Sequence, residues 1–194
     1  SAPTKIASNR LAPVQLDEGL AHLESLLGAT KGRVTLGITG GNRVKLGDKV
    51  IFEAISAVAG RLLLLDIDAE GKVTLIYPNQ YVDRSAPGRI AAGARVAVPG
   101  PTYPGFTSFQ ASEPIGKGRL IALVAPDDFD VEAFAAEHSE VTKGFAPRND
   151  PPSYLMRVIR QIETEIDARS KKATPPSDEL KRWAYAVTDY EIMP

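Results

Sequence analysis

The chain contains no cysteine, and among its 194 residues histidine occurs twice, at His22 and His138. A thiol nucleophile, a disulfide framework and any cysteine-ligated zinc or iron–sulfur centre are thereby excluded. The lack of disulfides leaves the compartment open. His22 sits beside Leu23 in a helical pattern and His138 near a helix end, far apart and with no evident catalytic partner, so both read as surface or helix-end side chains. An excess of one charge is also missing. Against 23 lysines and arginines stand 24 acids, a net charge of -1, and no basic run exceeds Lys171-Lys172. No field favours nucleic acid or an anionic membrane. No apolar stretch approaches the roughly 20 residues of a membrane helix, and Leu62 to Leu65 is short and strand-like. There is no Gly-x-Ser-x-Gly elbow for serine acyl transfer. Thr35 to Gly41 lacks the Lys-Ser/Thr of a phosphate loop and reads as a strand with its turn.

What the chain does have is 43% hydrophobic residues, enough at this length for one sizeable core with appendages. Its organising stretch runs from residue 47 to 79 and reads as three consecutive strands reversed by two tight turns. Val50, Phe52 and Ala54 alternate with Ile51, Glu53 and Ile55, and Gly60 marks the first reversal. Leu62 to Leu65 is apolar on both sides, the pattern of a central strand covered on both faces. Ala69-Glu70-Gly71 turns the chain into Val73 to Tyr77, which Pro78 ends for want of an N–H.

Around that stretch, residues 1–15 read as a linker. They open at Ser1 without methionine or signal peptide, as expected of a processed or excised chain whose targeting sequence lies upstream. Leu16, Leu20, Leu23 and Leu27 predict an amphipathic helix stopped by Gly28, and Val34, Leu36 and Ile38 a first strand that turns at Thr39 to Asn42. Short strands follow over Arg95 to Val98, Thr107 to Ser112 and Arg119 to Ala125. After Pro126, Asp127 or Asp128 is suited to cap a short helix that turns Phe129, Val131, Phe134 and Ala135 inward. Asp150 and Pro151 open a longer one with the stripe Leu155, Val158, Ile159, Ile162 and Ile166. Ser177 to Ala184 makes a last helical turn or two, and Tyr185 to Ile192 a closing strand. The expected fold class is α+β, an antiparallel β-sandwich-like core of about seven strands with an N-terminal helix and a C-terminal helical segment. Residues 16–126 form the β domain with its helix, and 127–194 a helical extension whose strand packs on the same domain.

Three places invite a functional reading. Asp66, Asp68, Glu70 and Gly71 spell D-x-D-x-E-G, the opening of a calcium loop, but Tyr77 stands where a bidentate Glu belongs. Acids and glycine are also ordinary hairpin residues, so the alternatives are a structural turn and a weak exposed metal site. The Pro/Gly loop from Pro99 to Phe106 carries Tyr103 and Phe106, which with Tyr81 are candidate contacts for a sugar ring or a partner, or else caps on the core. Trp183, Tyr185 and Tyr190 read as anchors of the C-terminal segment, or as a partner surface if exposed. No catalytic residue, cofactor or metal ligand is assigned.

A set of short motifs, taken together, resembles a bacterial domain of unknown function that commonly follows caspase-like peptidase domains in exported proteins. They are Gly47-Asp48-x-Val50-x-Phe52, the Leu62 to Asp66 strand, Asp68-Ala69-Glu70-Gly71, and Val73 to Asn79. Ile90-x-x-Gly93, Val96-x-Val98-Pro99 and Glu113-Pro114-x-Gly116 leading into Leu120 to Val124 continue it, so that the likeness covers about residues 32 to 126. The resemblance implies a non-catalytic accessory domain that regulates or localises a linked upstream peptidase, in an exported, periplasmic setting. It carries no catalytic residues to transfer. The alternative function is an envelope ligand-binding module, for glycans or similar.

Overall fold

The computed structural model describes residues 13–78, 88–100, 107–131, 133–134 and 151–194, with side chains in the two long helices described from Leu16 and Leu155 onward. Helix α1 (Pro13–Leu27) begins three residues before Leu16, since proline is tolerated in a first helical turn where no N–H is required. Among the described residues eleven strands follow, with helix α2 (Pro151–Ser170) before the last of them. The strands are β1 (Val34–Ile38), β2 (Arg43–Lys45), β3 (Lys49–Val50), β4 (Phe52–Ser56), β5 (Gly60–Ile67), β6 (Val73–Tyr77), β7 (Arg89–Ile90), β8 (Arg95–Val98), β9 (Phe109–Gln110), β10 (Gly116–Ala125) and β11 (Ala184–Met193). The sequence suggested about seven strands; those it missed, β2 among them, are too short to show a period.

Six strands form the main sheet, in the order β2-β11-β10-β5-β6, with β7 also on β5. Its β10–β11, β10–β5 and β5–β6 pairs are antiparallel, and β11 runs parallel to β2. A second sheet has the order β1-β4-β8, and β3 pairs with β9 as a ribbon. The architecture is thus α+β in three layers. On one face of the main sheet Leu63, Leu65, Ile67, Ile121 and Leu123 pack against α1 and α2, through Leu23, Leu27, Val158, Ile159 and Ile162. On the other, Leu62, Leu64, Leu120 and Val124 meet Leu36, Phe52, Ala54 and Val98 of the small sheet. Thr188 ties the layers by donating from Oγ1 to the Leu36 carbonyl at 2.9 Å. β5 is apolar from Leu62 to Leu65 because both its faces are covered there, as its composition predicted.

The expected three-strand meander is corrected in one respect. β4 pairs with β1 and β8, not with β5, so the chain changes sheets between Ser56 and Gly60. The physical reason lies in the burial: β4 buries alternate residues, as a strand of a sheet with one covered face does, whereas β5 buries both sides. Gly60 makes the crossing close, since a Cβ there would lie 2.1 Å from the Ala125 carbonyl oxygen.

After Pro126, Phe129, Val131 and Phe134 are buried as expected, while Ala135 and Asp150 lie outside the described residues. The capping contact comes from Asp130, whose Oδ1 accepts the Ala133 N–H at 2.8 Å, and not from Asp127 or Asp128. Asp128 is instead held by Arg169 and Arg182, each at 2.8 Å, which take it away from the backbone. Pro176–Arg182 is a 3-10 helix that leads into β11. There Trp183 is fully buried and its Nε1 donates to the buried Glu179 at 3.1 Å. Among the described residues no helix is long and apolar enough to cross a membrane.

Candidate functional site

Tyr81, Tyr103 and Phe106, the candidate contact residues, lie outside the described residues, as does His138. His22 stands on α1 with Nε2 3.4 Å from Glu163 of α2, a partly exposed contact between helices. The D-x-D-x-E-G segment does not act as one loop. Asp66 belongs to β5, not to the turn as the motif suggested. Asp68 Oδ1 accepts the N–H groups of Glu70 and Lys72 at 2.8 and 2.9 Å, and Glu70 pairs with Lys72 at 3.2 Å. Gly71, at φ 80°, takes the left-handed conformation this turn needs. Tyr77 is buried in β6. Among the described residues no three histidines and acids gather to hold a metal ion.

Asp66 leads instead to a cavity. It shares the face of β5 that carries Leu62 and Leu64, the face turned toward the small sheet, because side chains two apart on a strand point the same way. Beyond the last leucine the two layers separate and leave a pocket of about 410 Å³. Ile38, Val44, Val50, Phe52, Ile76 and Phe109 provide apolar wall, and Asp66, Asp68, Glu113 and Tyr190 the ionisable lining. The rings of Phe52 and Phe109 pack with centroids 5.6 Å apart and planes tilted by 42°. That volume falls in the ordinary range of small-molecule sites.

The polar floor is a pair made by three strands. Tyr190 on β11 stands opposite Gly118 on β10, and its ring passes over that glycine so that Oη donates to Asp66 Oδ1 on β5 at 2.8 Å. Any Cβ at residue 118 would lie 2.2 Å from the ring, so only glycine permits the crossing. Burial pushes the Asp66 carboxyl up to about 7; the Tyr190 hydrogen bond opposes this and the Asp68 charge adds to it. Burial and the neighbouring Asp66 raise the Tyr190 phenol far above its ordinary range. The pocket therefore offers a carboxyl whose proton affinity burial has raised beside a phenol that keeps its proton.

The aromatic anchors at the C-terminus are where the sequence suggested. Trp183, Tyr185 and Tyr190 are all buried and join β11 to the sheet. The second duty of Tyr190 was missed. Its signals were a glycine within the strand Arg119 to Ala125 extended backward, and an acid at the end of an apolar run. On the helical side a more polar hollow of about 470 Å³ is lined by Asp128, Glu165, Arg169, Lys172, Glu179 and Arg182. Arg169 and Arg182 spend their guanidinium groups on Asp128, Glu165 and Glu179 at 2.8 to 3.3 Å. These charges are satisfied within the fold.

Residues 43–128 match the family model described as a domain of unknown function (DUF4384). No curated protein and no solved structure matches the chain. The matched segment holds Asp66, Asp68, Ile76, Phe52, Phe109 and Glu113, but Ile38, Tyr190 and Ile192 lie outside it. The pocket of this chain is therefore built from the matched segment together with flanking sequence.

Proposed function

We propose that this chain is a non-catalytic accessory module that binds a small group or side chain in the pocket between its two sheets. The observation that carries this reading is a 410 Å³ hollow with an apolar wall and a few converging polar groups at its floor. A catalytic role would need a second group poised to exchange protons with Asp66. Tyr190 holds its proton too tightly, and Asp68 Oδ1 is engaged by two turn amides. Chemical shifts test the reading. On titration with small fragments that join an apolar chain to a polar end, the amides of Val50, Ile76 and Phe109 are expected to move together in the native protein. They are expected to stay still in Ala111→Phe, which fills the pocket. Shifts confined to another surface, or the same shifts in that variant, refute it.

A broader setting is supported by the resemblance alone: regulation or localisation of a linked caspase-like peptidase in an exported, periplasmic protein, with the pocket's ligand coming from the envelope. An upstream peptidase that is equally active and equally localised without this chain removes that setting and leaves the pocket untouched.

A further inference from the structure

The ionisable lining of the pocket is of one kind. Asp66, Asp68 and Glu113 are carboxyl groups and Tyr190 is a phenol, while the described lining residues include no lysine, arginine or histidine. An anionic ligand would meet three acids without a counter-charge. A purely apolar one would take water from the Asp66 carboxyl while adding nothing to the hydrogen bond that Tyr190 supplies, and desolvating a carboxylate without a counter-charge is costly. The remaining class has positive charge at one end and hydrocarbon at the other. The presence of Phe52 and Phe109 in the lining suits such a cation as well, because an aromatic ring attracts positive charge.

Resting on the reading that this pocket is a binding site, we infer that its ligand is a primary ammonium on a short apolar chain, with the ammonium at Asp66 and the chain against Phe52, Phe109 and Ile76. The groups around Asp66 make the acid responsive to such a ligand. From β11 it faces Tyr190, from the turn after β5 Asp68, and Glu113 lines the same pocket. Its register partners, Thr74 on β6 and Leu120 on β10, bring no charge. An arriving ammonium favours the carboxylate, so protonated Asp66 gives up its proton on binding, and affinity rises as the pH is taken upward through about 7.

The test titrates the full isotope-labelled chain with hexylammonium, hexanol, hexanoate and an acetylated, amidated Gly-Lys-Gly peptide, at about pH 6 and about pH 8. Hexylammonium is expected to shift the amides of Asp66, Phe109 and Tyr190, to bind about tenfold more tightly at the higher pH, and to outcompete hexanoate. Asp66→Asn, which keeps the size of the side chain and an acceptor for Tyr190, is expected to abolish the pH dependence and leave hexanol binding alone. A response to the peptide assigns the ammonium to a partner's lysine, and a response to hexylammonium alone assigns it to a free amine; either supports the inference. Binding of hexanol without hexylammonium, or an Asp66→Asn variant that binds hexylammonium as the native chain does, overturns the inference while the pocket stands as a site. Silence from all four probes overturns the pocket reading along with it.

Discussion

Asp66 is the residue at which this molecule departs from plain structural logic. It follows four leucines in a central strand, and burial there moves its proton affinity into the physiological range. In the unfolded chain the same carboxyl ionises near its ordinary value of about 4. Between that value and about 7 the folded state therefore binds the extra proton. The stabilisation is complete below the unfolded value and is lost as the pH rises through about 7, by up to about 4 kcal/mol over the whole window. Urea midpoints across this pH range are expected to fall for the native chain more steeply than for Asp66→Asn, which has no proton to lose. Parallel curves for the two proteins would show that the carboxyl is not held protonated. A ligand that brings a positive charge to Asp66 would recover part of that loss.

At the scale of elements, the contact of β11 with β10 and β5 decides the floor of the site. Gly118 leaves β10 without a side chain where the Tyr190 ring must pass, and the Tyr190 hydrogen bond links β11 to β5, the second strand across. Gly118→Ala is expected to displace the ring and to cost about 1–3 kcal/mol, as overpacking does. Tyr190→Phe alone is expected to cost about 1 kcal/mol, the net worth of one hydrogen bond. Combined, the two should cost less than their sum, since the displaced ring no longer reaches Asp66. Denaturant unfolding of the four proteins measures this, and a Gly118→Ala chain as stable as the native one would contradict the crossing. The elements themselves were mostly readable. Leucine spacing gave α1, the stripe from Leu155 to Ile166 gave α2, and alternation gave β1, β4 and β6. The partners of those strands were not, because period reports which face is buried and not which neighbour bonds the edge.

Over the whole molecule, the segment that matches DUF4384 is not a complete layer set. Residues 43–128 omit β11, which pairs with β10 at nine positions, and both helices that cover Leu63, Leu65, Ile121 and Leu123. Expressed alone, that fragment would expose one face of its central sheet and a long bonding edge, a combination that favours aggregation. It is expected to give a collapsed, poorly dispersed amide spectrum, whereas residues 13–194 give a dispersed one. A dispersed spectrum from the fragment would mean that the flanking helices and β11 are additions to a core already stable without them.

From its residues alone the chain fixed the α+β class, a strand buried on both faces, two amphipathic helices and an aromatic anchor at its end, because each of these is written in local spacing. The change of sheet after Ser56, the passage of Tyr190 over Gly118 and the meeting of that tyrosine with Asp66 were decided only in three dimensions. The last joins residues 124 positions apart, and all three depend on strand order and close approach, neither of which a local period encodes.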